Sequence, residues 1–152
     1  MTEASEFQAF GALAPSPIQT LARRAGARLG NDGLGRKLAS LLLRVAGGKS
    51  GRAFDVTIFG SERARLHPYD NISEKRVFIT PQFWEAEERA LLAAHIAAGS
   101  GDFWFLDVGA NAGLYTLFAH SCAKAAGRAF RALCVEPSIL MRGRLAFNIE
   151  AS

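Results

Sequence analysis

Two carboxylates, two glycines and an asparagine stand where a chain could hold a nucleotide-like ligand. In "FWFLDVGANAGLYTLFAH", residues 103–120, Asp107, Gly109, Asn111 and Gly113 fall on alternate positions. They lie between an apolar run of strand length and an apolar run of helical period. Glu136 closes a second apolar run, "AFRALCVE". A strand that enters a helix through a glycine turn presents backbone N–H groups and a helix N-terminus to a ligand. Gly109 lets the backbone turn sharply and lets a ligand approach. Gly113 permits close helix–strand packing. Asn111 tolerates left-handed backbone angles and brings its own amide. Asp107 can accept hydrogen bonds from cationic or N–H groups. Glu136, at the tip of the second strand, is placed to accept both hydroxyls of a ribose, because two carboxylate oxygens match two O–H donors.

The ligand class follows from sterics and charge. A dinucleotide fingerprint reads G-x-G-x-x-G, and its glycines let a pyrophosphate lie on the helix N-terminus. Here the middle glycine is replaced by Asn111, and Leu114 stands where the last would be. A side chain at position 111 crowds a pyrophosphate, and Asp107 repels one. A ligand with an ammonium group and no phosphate suits both residues, so S-adenosylmethionine is favoured over NAD.

The elements that must position these residues are legible as periods. "FWFLDV" and "AFRALCVE" read as buried strands, and "AGLYTLFAHSCAKAAG" and "PSILMRGRLAFNIEA" as helices. Pro137 and Ser138 suit the start of the second helix. Strand, helix, strand, helix predicts a βαβ unit, with a parallel sheet covered on both faces and a right-handed crossover. Upstream, Phe54, Val56 and Ile58 alternate with polar residues, and "GSE" at 60–62 and "RARLH" complete a hairpin. "YDNISEKR" reads as a loop and "VFIT", 77–80, as a short strand. Pro81 opens a helix through "PQFWEAEERALLAAHIAAG", anchored by Phe83, Leu91, Leu92 and Ile96, with Glu85, Glu87 and Glu88 favoured by its dipole. From Pro17 to Val45 apolar residues recur at helical spacing, and "GNDG", 30–33, splits them into two helices. Residues 1–15 show no period. The domain boundary expected from composition lies at residue 52: a basic helical lead-in over 1–52, then a hairpin and a Rossmann-like half-domain over 53–152.

Composition narrows the rest. The chain has 152 residues, 49% hydrophobic and 21% charged, with net charge +4, which suits a folded domain rather than a disordered one. Up to Arg52 eight basic residues face three acidic ones, so the surplus sits at the front. A near-neutral body does not read as a nucleic-acid binder. The basic front reads first as a solvated helical lead-in and second as a weak peripheral contact for an acidic partner or membrane surface. Cys122 and Cys134 have neither metal nor disulfide spacing and read as reduced core residues. "MTEASEFQAF" starts acidic, unlike a signal peptide, and no run reaches the ~20 apolar residues of a membrane span. A cytoplasmic protein is expected.

"FLDVGANAGLYTLFA", "VEPS" and "LAFNI" together resemble the FkbM-type class I S-adenosylmethionine-dependent methyltransferases. Asp107, Gly109, Ala110, Asn111, Gly113, Tyr115 and Thr116 match the family's first motif, D-x-G-A-N-x-G-x-Y/F-[ST]. Glu136 and Pro137 match the second, and Leu145 with Asn148 resembles the L-x-x-N that closes the following helix. The likeness covers roughly residues 54–150. It implies a Rossmann-like seven-stranded fold, S-adenosylmethionine as methyl donor, and O-methylation of a sugar or another small metabolite. It also implies that Asp107, Gly109, Asn111 and Gly113 line the methionine side of the cofactor and that Glu136 holds its ribose. Tyr115 is expected in a helix–sheet contact.

After Ser152 such a fold would need further strands, so the expectation is a fragment truncated after the second motif. It would be weakly active or inactive and prone to self-association through a bare strand edge. Two other readings stand beside it: a non-catalytic interaction module, and a nicotinamide-dependent oxidoreductase with an atypical turn. His67, His95 and His120 are candidate bases by type only, and a structural role is expected for each, with His95 on the apolar face of its helix. Trp84 and Trp104 are expected in the core.

Overall fold

The computed structural model describes residues 8–152; the first seven residues of the aperiodic stretch 1–15, with both of its acids, lie outside the described residues. The described residues form a mixed α/β structure of six α-helices and two two-stranded sheets, one antiparallel and one parallel. The chain divides into two compact units. One holds the chain up to Val56 together with Arg65–Trp84, and the other holds Thr57–Ala64 with Glu85–Ser152.

In the first unit, α1 (Pro17–Gly26) begins with a reciprocal capping box: Gln19 N donates to Ser16 Oγ, and Ser16 N donates to Gln19 Oε1 at 2.8 Å. Asp32 caps α2 (Gly33–Val45) through Gly35 N at 2.6 Å. The two helices pack together and against α3 (Ile72–Ile79). Helix α3 replaces both the loop and the short strand expected there. Asn71 caps it by accepting from Glu74 N at 3.0 Å, and an Asn followed three residues later by Glu is a helix-start signature. The apolar run Val77–Ile79 is buried as the last turn of that helix, where one short run fits strand and helix equally well. Arg23 lies over the Phe78 ring at 4.9 Å and donates to Phe78 O, and burial lowers its pKa to about 10.

The hairpin of β1 (Phe54–Ile58) and β2 (Glu62–Leu66) forms as expected. Its turn places Phe59 and Gly60 at φ 48° and 91°, the double left-handed backbone that suits the right-handed twist of paired strands. Phe59 is an unusual residue there, and its ring lies edge-on to Phe118 at 5.3 Å. Inside the first unit, Asp55 and Arg65 form a buried two-point ion pair at 2.7 and 3.0 Å. Asp55 also accepts from Gly11 N and Leu13 N.

The expected helix from Pro81 is interrupted. Pro81–Phe83 is a single 3₁₀ turn, Glu85 adopts a left-handed backbone at φ 42°, and α4 (Ala86–Ala98) starts after it. Of the expected anchors only Ile96 is fully buried, whereas Leu91 is 73% exposed. His95 is exposed rather than set in an apolar face.

The second unit contains β3 (Phe103–Val108), α5 (Leu114–Ala125), β4 (Phe130–Val135) and α6 (Ile139–Ala151). Strands β3 and β4 run parallel in the register Phe103↔Phe130 to Val108↔Val135. Helix α5 covers one face of this pair and packs on α4, around Ile96, Phe103, Ala119 and Ala123. Coverage of both faces, expected from the apolar strands, is not found among the described residues. Trp104, Leu106 and Val108 of β3 and Leu133 of β4 are 72%, 61%, 73% and 65% exposed. Side chains alternate across a strand, so these residues share the bare face. Trp104 therefore lies outside the core, under the Arg131 guanidinium at 5.3 Å, whereas Trp84 is buried as expected.

Candidate functional site

All the residues singled out by type and spacing gather at the carboxyl ends of β3 and β4. Gly109, Asn111 and Gly113 all have left-handed backbones, at φ 78°, 50° and 83°. Two of them need glycine for different reasons. A Cβ on Gly113 would come within 2.7 Å of Leu145 Cδ1, so a side chain there would force Leu145 to shift in addition to straining the left-handed backbone. A Cβ on Gly109 would meet nothing within 4 Å, so the missing side chain leaves open space above the turn.

The turn's own N–H groups are directed at the tip of β4. Gly109 N and Ala110 N donate to Val135 O at 2.8 and 3.1 Å. Asn111 N donates to Glu136 Oε2 at 2.8 Å, and Ser138 N donates to Glu136 Oε1 at 2.9 Å. Glu136 is half-buried and fixed at both oxygens, each of which retains a further lone pair. Because these amides are engaged, the turn does not offer the row of N–H donors that a pyrophosphate needs.

Asp107 is buried, and its Oδ2 accepts the Thr116 hydroxyl at 2.6 Å. That proton being committed, the Cys134 thiol donates to Thr116 Oγ1 at 3.2 Å. Asp107 therefore ties the first turn of α5 to the sheet. Cys122 and Cys134 are free thiols, each partly exposed, and burial raises the pKa of Cys122.

Three contributions were missed in the sequence or seen only through the resemblance. Asn148 is fully buried and donates from Nδ2 to Ala112 O at 2.9 Å, so it and Leu145 hold the glycine turn from α6. Glu85, read only as an acid favoured by a helix dipole, accepts the Tyr115 hydroxyl. Burial, that hydrogen bond and the charges of Glu85 and Glu88 raise the Tyr115 pKa and keep the phenol protonated. Tyr115 is thus a polar tether rather than a simple helix–sheet contact. Burial lowers the pKa of Arg89, whose guanidinium lies over Phe59 and Phe118 at 5.8 and 5.3 Å. No local sequence pattern carried the left-handed backbone at Glu85.

Two of the three histidines are held by carboxylates. Buried His67 has Nδ1 at 3.3 Å from Glu74 Oε2, which also accepts His67 N at 2.6 Å. His120 Nδ1 lies 2.7 Å from Glu62 Oε2. Among the described residues no group of three or more His, Cys, Asp or Glu could hold a metal ion, and no helix is long and apolar enough to cross a membrane.

Comparison of the chain with known protein families, with curated proteins and with solved structures found no match.

Proposed function

We propose that the glycine turn and Glu136 bind S-adenosylmethionine, and that the chain carries the cofactor site of a methyltransferase acting on a small-molecule acceptor such as a sugar hydroxyl. The observation that carries this is the fixed carboxylate of Glu136 beside the turn, held by Asn111 N and Ser138 N. A carboxylate so held needs no reorganisation to accept a vicinal diol, and one lone pair on each oxygen is available for it.

The residues fit the ligand in two further respects. The space above Gly109 admits a ligand to the backbone. Buried Asp107 provides negative charge for an ammonium group, while Thr116 holds its orientation. The cofactor, when bound, would supply an electrophilic methyl group. The chain's own contribution is positioning, which is where much of the acceleration of a displacement arises.

Titration calorimetry with S-adenosylhomocysteine and with NAD tests the reading. Saturable binding of the first and not the second is expected. Glu136→Gln should weaken it roughly tenfold to a hundredfold, by the ~1.5–3 kcal/mol of a hydrogen bond to a charged group. Gly109→Val should abolish it. Melting curves run beside both variants separate lost contacts from a collapsed turn. Binding of NAD alone would favour a nicotinamide enzyme, and binding of neither would overturn the proposal.

A further inference from the structure

The amino-terminal helices turn an apolar stripe outward. On α2, Leu34, Leu38, Leu41 and Val45 fall at i, i+4, i+7 and i+11, which is one helix face. They are 66%, 38%, 56% and 45% exposed, while the positions α2 buries are Gly35 and Leu43. On α1, Ile18 and Leu21 are 67% and 66% exposed. The core therefore leaves uncovered most of the apolar surface that gave these helices their period.

Cations border the stripe. Lys37 and Arg44 lie three residues beyond Leu34 and Leu41 and are exposed, as are Arg24 and Arg28 after Leu21. Asp32 is the only acid between Pro17 and Val45, and its carboxylate is engaged as the cap of α2. An open hollow of about 470 Å³, lined by Pro15, Pro17, Thr20, Leu21 and Arg24, adjoins the start of α1.

We propose that α1 and α2 form a docking surface for an anionic lipid bilayer. Charge complementarity selects this occupant. A second copy would bring arginine against arginine. A wholly apolar partner would strip water from the cations and give them no counter-charge. An interfacial helix buries its apolar stripe at the acyl boundary while Lys and Arg stems reach back to the phosphates. Helix α2 has 13 residues, about 20 Å of rise, and so lies on a bilayer rather than across it.

Flotation of the full chain with phosphatidylcholine vesicles, with and without phosphatidylserine, tests this. Binding is expected only with phosphatidylserine and should fall as salt rises. Lys37→Gln with Arg44→Gln should lower partition about thirtyfold, at roughly a factor of five per charge. Leu38→Ser with Leu41→Ser should lower it as well and leave the far-ultraviolet circular dichroism unchanged, because both positions face water. Leu38→Trp should show an emission blue shift with anionic vesicles alone. Equal binding to neutral vesicles, or no binding, would overturn the proposal. So would binding to polyglutamate without binding to vesicles, which indicates an acidic protein partner. A change in oligomeric mass caused by the serine pair, without vesicle binding, would assign the stripe to a second copy.

Discussion

The two small sheets of this protein have strands of nearly equal length and opposite surroundings. In strands β1 and β2 every residue except Thr57 and Arg63 is buried. In the β3–β4 pair, Trp104, Leu106, Val108, Leu133 and Val135 are exposed although apolar. The hairpin's sequence is rich in charge, yet it is enclosed. The parallel pair's sequence is almost wholly apolar, yet half of it faces water. Hydrophobicity of a strand therefore reports what a face could bury, and charge does not exclude enclosure when a partner of opposite sign is brought to it.

The largest expected effect breaks the enclosed charge. Arg65→Leu leaves Asp55 buried without its counter-ion and should lower unfolding free energy by about 3–5 kcal/mol in urea titration. Asp55→Leu combined with Arg65→Leu should recover much of that loss, since no unpaired charge then remains. The pair also sets an acid limit. Burial alone would raise the Asp55 pKa, but the Arg65 hydrogen bond, the N–H groups of Leu13 and Gly11 and the Arg65 charge together outweigh it and lower it. A carboxyl with a lowered folded-state pKa stabilises the fold above its unfolded value, near ~3.9, and that contribution is lost as pH falls through the folded value. The melting temperature of the parent should drop at pH below about 4, more steeply than that of the double-leucine variant.

A smaller effect separates the two glycines. Gly113→Ala adds left-handed strain of about 1–2 kcal/mol to a contact with Leu145, whereas Gly109→Ala adds the strain alone. Urea titration should therefore find the first variant less stable than the second, and Leu145→Ala should narrow the gap. The smallest effect is expected on the bare face. Leu106→Lys should change stability by less than about 0.5 kcal/mol, because the side chain is already in water. If light scattering shows less association in that variant, the face is a site of self-contact; a stability loss of several kcal/mol would show instead that the face is covered.

Much of the site was legible because it is local. Gly109, Asn111 and Gly113 announce a left-handed turn by residue type, and Asp107 and Glu136 end runs long enough to be strands. The structure brings all five to one end of the parallel pair. What stayed hidden depends on distant neighbours. The Glu85–Tyr115 hydrogen bond and the left-handed backbone at Glu85 have no local signature, and the run Val77–Ile79 is too short for its period to separate helix from strand. The Asn71 cap was a readable signal for α3, outweighed by that apolar run.

The sequence by itself determined the order of strand, glycine turn, helix and strand, since periodicity and the backbone freedom of glycine and asparagine act within a few residues. Tertiary structure alone decided which apolar residues are covered. Trp104 and Leu34 carry the same local signals as Phe103 and Leu43, and they differ only in whether another element lies against them.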